Sequence, residues 1–216
     1  IYVDSGQFCW GFAGSWLSKR GCHELKSSFV EIPDKYVQDI DTIILSSIHF
    51  SSYKNDPYIH LNDFYPDSPQ FDSVWIELQK LYEQGVEILL MVGGAGGAYK
   101  ALFSDLDTYY PLLFKLLRKQ KIITGIDLDI EESVDVNDVK KLINNLINDF
   151  GEDFTITMAP VASSLTNDSP SGFSGINYKE LYNSEIGKYI SWFNFAARLE
   201  FIVFLPARKN NFIFKS

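Results

Sequence analysis

The run Val86 to Val92 (VEILLMV) holds a single charged residue and no regular polar–apolar alternation. It restricts the possible folds more than any other segment. A strand with one wet face alternates, whereas a near-continuous apolar strand is covered on both sides, as in a parallel sheet lying under helices. Thr42 to Phe50 (TIILSSIHF), Ile122 to Ile130 and Phe154 to Val161 read as further buried strands, and Ile190 to Asn194 begins another. Helical patterns fall between them. Phe71 to Gln84 has Val74, Leu78 and Leu81 at helical spacing, with Gly85 as a stop. Leu106 to Gln120 is helical, with a kink or a late start expected near Pro111. Val136 to Phe150 places Val139, Leu142, Ile143, Leu146 and Ile147 on one side, with Asp135 as its cap and Gly151 as its close. Tyr178 to Leu181 opens a short helix. This order predicts one α/β domain over residues 1–216, built on a parallel sheet that is either doubly wound or closed into a barrel.

Composition narrows the function classes. The net charge of −9 repels phosphate backbones and argues against a nucleic-acid partner. There is no basic run to seek an anionic membrane, and no apolar stretch has the length of a membrane span. His23, His49 and His60 lack metal-ligand spacing and no cysteine accompanies them, so neither a metal nor a cofactor is expected. Cys9 and Cys22 form one disulfide or remain two thiols. Asn167-Asp168-Ser169 matches a glycosylation acceptor, although Pro170 follows it. The chain starts at Ile1 rather than Met, which leaves its natural start and its compartment open.

The chemistry concentrates in Thr124-Gly125-Ile126-Asp127-Leu128-Asp129-Ile130-Glu131. Strand alternation puts Ile126, Leu128 and Ile130 on one face and three carboxyls on the other. Acids crowded on a buried face cannot all ionise easily, so at least one pKa should rise, the condition for a carboxyl acting as an acid near neutral pH. A wet antiparallel face, a Mg²⁺ or Ca²⁺ site and a structural hydrogen-bond network compete with catalysis at this point. Glu132 falls on the opposite face and reads as solvated or capping.

The pattern resembles the signature of glycoside hydrolase family 18, the chitinases and related endo-β-N-acetylglucosaminidases. That signature is Asp-Gly-x-Asp-x-Asp-x-Glu at the end of the fourth barrel strand, and Thr124 stands here where the first Asp is usual. Gly93-Gly94-Ala95-Gly96-Gly97, Met158-Ala159-Pro160 and Ile59-His60-Leu61-Asn62-Asp63 also resemble family elements, although Met91 replaces a small polar residue. The likeness runs from about Asp34 to Asn194, and residues 1–33 and 195–216 diverge.

The resemblance implies a (β/α)8 TIM-type barrel, here incomplete with about six strands, the first at Ile1 to Val3 or Phe8 to Phe12. It implies a retaining mechanism in which the substrate's own acetamido group is the nucleophile. Glu131 would be the proton donor, Asp129 would orient the acetamido group, and Asp127 would share a proton with Asp129. Gly93, Gly94, Met158, Phe50 and Trp192 would bind the sugar. The implied partner is a polysaccharide or glycan containing N-acetylglucosamine, with no cofactor, and secretion agrees with the family. The chain departs from the pattern where Ala196 replaces a Gln and Arg198 a Tyr. Leu199 to Ser216 matches nothing, and strands seven and eight are missing. Both ends are therefore expected to be altered relative to an intact ancestor. An inactive sugar-binding protein or a degenerate remnant is the alternative. A metal-dependent phosphohydrolase is disfavoured, since no Lys, His or phosphate loop accompanies the acids.

Overall fold

A computed structural model describes residues 2–4, 37–38, 40–94, 96–166, 168–196 and 202–206. Its strands are β1 (Tyr2–Asp4), β2 (Thr42–Tyr53), β3 (Asp56–Leu61), β4 (Glu87–Gly93), β5 (Ile123–Asp129), β6 (Thr155–Met158), β7 (Trp192–Ala196) and β8 (Ile202–Pro206). The helices are α1 (Asp72–Glu83), α2 (Ala98–Ser104), α3 (Leu106–Lys119), α4 (Val136–Phe150), α5 (Ala162–Thr166) and α6 (Tyr178–Asn183). Strands run in the order β1-β2-β4-β5-β6-β7-β8, with β3 beside β2. The neighbours from β1 to β7 along this path are parallel, while β3 and β8 pair antiparallel. A doubly wound sheet reverses its strand order at a switch point. Here the parallel strands follow one another without reversal, which is the winding of a barrel and resolves the choice left open by periodicity.

Alternation along each strand sorts the core into two layers. Ile43, Leu45, Ile88, Leu90, Val92, Ile126, Leu128, Ile156 and Met158 pack outward with Leu78, Leu113, Leu142 and Ile143 of the helices in one continuous cluster. Ile44, Leu89 and Met91 form a smaller cluster on the other face, with Trp192 against them. Deeper on this inner face, Glu87 accepts hydrogen bonds from Thr42 Oγ1 at 3.1 Å and Thr155 Oγ1 at 2.5 Å. The second bond passes over β5, where Gly125 has no side chain. A Cβ there would lie 2.3 Å from Thr155 O and 2.5 Å from Leu89 Cδ2.

Several elements differ from the sequence reading. β2 runs past Phe50 to Tyr53 and turns through Lys54 and Asn55, both at positive φ (50° and 66°), into β3. This turn carries no glycine, which is why periodicity did not reveal the hairpin. α3 starts at Leu106 and continues through Pro111 to Lys119. β6 stops at Met158, short of Val161, and α2 and α5 are too brief to print a helical period. The first strand is Tyr2–Asp4. Phe8 to Phe12, Cys9, Cys22 and Asn167 lie outside the described residues. β8 falls in the segment that matched nothing, antiparallel to β7. No helix among the described residues is long and apolar enough to cross a membrane.

Gly125→Ala should lower the free energy of unfolding by about 1–3 kcal/mol, the usual cost of overpacking a close contact. Urea unfolding of variant and parent measures this. An unchanged midpoint would mean that the layer around Glu87 has room the structure does not show.

Candidate active site

β5 presents Gly125, Asp127 and Asp129 on the inner face, since Ile126 and Leu128 occupy the outer one. Asp127 is fully buried. A carboxyl without water needs donors from the protein. They come from the next two strands: Thr157 Oγ1 on β6 donates to Asp127 Oδ1, and Asn194 Nδ2 on β7 donates to the same oxygen at 2.9 Å. Trp192 Nε1 donates to Asn194 Oδ1 at 2.9 Å. Because the indole is a donor only, that bond fixes which end of the Asn194 amide is oxygen and turns its NH₂ towards the acid.

Asp129 stands one layer higher, at the C-terminal end of β5, and is half-buried. Burial pushes its carboxyl well above the usual carboxylate range, and the charges of Asp127 and Glu131 push it further. The risen acid expected from the sequence is therefore Asp129. Its neighbour across the sheet is Gly93. A Cβ at Gly93, where φ is +105°, would sit 2.1 Å from Asp129 O and 2.5 Å from the Tyr99 ring, so only glycine fits. Gly94 N donates to Asp129 O at 2.8 Å, and the place where its Cβ would be is 3.6 Å from Asp129 Oδ2. The two glycines leave backbone in place of side chains beside the carboxyl.

Glu131 follows β5 and is exposed. Glu132 turns the other way and accepts from Tyr99 N at 2.6 Å, satisfying one of the orphan donors in the first turn of α2. Of the two expectations for Glu132, the structure gives capping. Tyr99 is buried and donates from its hydroxyl to Val92 O at 2.8 Å. The segment 129–132 is thus tied at one end to the glycine-rich turn after β4 and at the other to the first turn of α2.

The structure brings Asp127, Asp129, Glu131, Gly93 and Gly94 together at the C-terminal ends of β4 and β5, where parallel α/β barrels carry their sites. It does not bring the other expected sugar contacts there. Phe50 is buried on the outer face, edge-on to Tyr109 of α3 at 5.8 Å. Met158 is fully buried in the outer cluster. Strand parity points both away from the acids and corrects the expectation that they touch a ligand. Trp192 packs with Ile44, Leu89 and Met91 beneath the acids and acts on Asp127 through Asn194. The sequence analysis singles out neither Thr157, which shares the inner face of the next strand, nor Asn194, which enters it only as the end of the run Ile190 to Asn194. The side chains of Ala196 and Arg198 lie outside the described residues. No group of three or more His, Cys, Asp or Glu among the described residues is arranged to hold a metal.

No protein-family model matches the chain. It is 24% identical to Chitinase 2 of Rhizopus oligosporus over 185 residues, covering 73% of this chain and 34% of that protein. Among solved structures it is similar to the chitinase ChiC of Aspergillus fumigatus, with 34% identity and a TM-score of 0.65 over 71% of this chain and 55% of that one. A fungal endo-β-N-acetylglucosaminidase of glycosyl hydrolase family 18 gives 34% identity and a TM-score of 0.64 over 71% and 54%. The chain spans about a third of the length of the curated relative and just over half of these two structures.

Two outcomes follow from this geometry. Folded Asp129 keeps its proton at pH values where the unfolded chain has released it, so stability falls as pH rises from the ordinary carboxylate range towards the raised value. Asp129→Asn removes that penalty. Its unfolding free energy, set against the parent's in urea titrations from about pH 4 to about pH 8, should shift in the variant's favour as pH rises. A pH-independent difference would contradict the raised value. Glu132→Ala should cost about 0.5–2 kcal/mol, as loss of a helix cap does, and Glu132→Gln less because it keeps an acceptor oxygen.

Proposed function

The chain belongs to glycoside hydrolase family 18, and on that premise we propose that it hydrolyses β-1,4 linkages next to N-acetylglucosamine in chitin, chito-oligosaccharides or an N-glycan core. The observation that carries the reading is a graded row of acids. Asp127 is buried and twice hydrogen-bonded, Asp129 is half-buried with a raised pKa, and Glu131 is exposed past the strand end. A metal-binding row would need all three carboxylates ionised and converging, whereas here burial favours the proton on the middle one.

Each position suits a different step. Glu131, at the solvent edge, protonates the departing glycosidic oxygen. The acetamido carbonyl oxygen of the sugar on the non-reducing side attacks the anomeric carbon as the glycosidic bond breaks, giving a cyclic oxazolinium ion. Asp129 orients the acetamido group and, as its proton passes towards Asp127, gains the negative charge that balances the cation. Asp127 is held by Thr157 and Asn194 in fixed geometry for that exchange. Glu131, now a carboxylate, takes a proton from the water that opens the ring, and the shared proton returns from Asp127 to Asp129 as the cation is lost, which restores the enzyme and retains the anomeric configuration. Gly94 leaves the space beside the Asp129 carboxyl free of a side chain, for the acetamido group, while Gly93 lets the turn pack against the end of β5. The neutral, acetamido-bearing substrate also suits the acidic balance of the chain.

Glu131→Gln keeps the shape and removes the acid, and should lower turnover of a fluorogenic chitobioside by about 10²-fold or more. A variant as active as the parent would remove Glu131 from this role. Binding to chitin by the parent with no hydrolysis at any pH would identify a sugar-binding protein instead.

A further inference from the structure

The hydrogen bonds that reach Asp127 all run in one direction. They start at Trp192, whose Nε1–H donates to Asn194 Oδ1 at 2.9 Å. The Asn194 amide then donates from Nδ2 twice, to Asp127 Oδ1 at 2.9 Å and to Thr157 Oγ1 at 3.3 Å. Thr157 accepts that bond and turns its own hydroxyl proton to Asp127 Oδ1. Both donors therefore converge on one oxygen of the buried acid.

That direction depends on one group. The nitrogen and oxygen of an amide are alike in size, so its side chain reverses at small steric cost, and a hydroxyl turns to whichever acceptor is offered. Neither Asn194 nor Thr157 fixes its own polarity. The indole does, because it donates and cannot accept. Its ring is held in turn by Ile44, Leu89 and Met91 of β2 and β4, and by its place opposite Thr157 in the β6–β7 register. With Asn194 reversed, its carbonyl would face Asp127 and draw the Thr157 proton away, so the acid would lose two donors at once. We propose that Trp192 is a positioning residue for the reaction: its indole N–H orients Asn194 and Thr157 so that both donate to Asp127, leaving that acid ready to receive the proton that Asp129 gives up. The proposal rests on the glycosidase reading of the acids and adds to it a group that acts from beneath them.

Donors aimed at a carboxylate favour its charged form, and an acceptor aimed at it favours the proton. Asp127 and Asp129 are coupled, so a second proton enters them as a pair. Other titratable groups approach from three places. Tyr99 of α2 and Tyr178 of α6 feel the charges of both aspartates, and Glu131 acts on Asp129. Burial pushes the Tyr178 hydroxyl up to about 12 and that of Tyr99 well above its ordinary value, so both stay neutral where the carboxyls titrate. Glu131 is exposed beyond the strand end. β6 (TITM) and β7 (WFNFA) bring no charged residue at all. Loss of the two donors therefore registers in the titration of the aspartate pair.

Trp192→Phe keeps an aromatic ring against Ile44, Leu89 and Met91 and removes the donor. NMR of protein carrying carboxyl-labelled aspartate reads the pair directly, and initial rates on a fluorogenic chitobioside read the consequence. In the variant the pair should take up its second proton about one pH unit higher, the acid limb of the kcat profile should move with it, and kcat at the optimum should fall about tenfold with KM little changed. Asn194→Ala should do the same. Adding Trp192→Phe to Asn194→Ala should change kcat by less than about twofold, because Trp192 acts through Asn194. Should circular dichroism show Trp192→Phe unfolded, replacing Trp192 by benzothienylalanine, which carries sulfur in place of the indole N–H, makes the same test with both rings kept. An unmoved titration in a folded variant, or losses that multiply in the double variant, overturns the proposal. A shifted titration in a parent protein that hydrolyses no N-acetylglucosamine substrate overturns the glycosidase reading, and with it the part of Trp192 in the reaction.

Discussion

A carboxyl at Asp127 has no contact with water, and the surrounding structure answers that cost. Desolvation of an unpaired acid would consume a large share of the stability of a domain this size. Two donors on two other strands offset it, and one of them is itself oriented by a third group. For Thr157 and Asn194 to reach one oxygen, β5, β6 and β7 must be parallel, adjacent and in fixed register. The acid therefore acts as a gauge of the inner face: a one-residue slip of any of these strands would replace a donor by an apolar side chain.

The same inner face explains the glycines. Gly125 leaves a gap through which Glu87 reaches Thr155, and Gly93 lets the turn after β4 lie directly on the end of β5. Both positions would be costly for any larger residue, for different reasons: crowding by neighbouring strands at one, and crowding together with a left-handed backbone at the other. Small residues here do not signal flexibility. They let polar groups on separate strands meet without water between them.

Much of this was legible in the sequence because it follows from alternation. The apolar runs at 42–50, 86–92 and 122–130 found their strands, the helical period found α1, α3 and α4, and parity separated Asp127 and Asp129 from Ile126 and Leu128. What sequence reading missed also has physical causes. The hairpin turn at Lys54-Asn55 uses positive φ without glycine, so nothing announced it. The family resemblance assigns Phe50 and Met158 to the sugar, whereas the same parity argument, carried across to β2 and β6, turns them outward. Thr157 and Asn194 carry no charge and stand on other strands. Only the spatial pairing of β5, β6 and β7 reveals them as the partners of the buried acid.

The fastening of residues 129–132 has a dynamic consequence. Backbone before Glu131 is held by Gly94 and backbone after it by the bond between Glu132 and Tyr99, so the exposed carboxyl between them sits on an anchored stem. Its approach to a bond and its withdrawal are then rotations about side-chain torsions, which in exposed residues take picoseconds to nanoseconds, rather than the microseconds of a closing loop. A donor mounted in this way can sample its working rotamer many times within one encounter, with little conformational entropy left to lose when the encounter becomes productive.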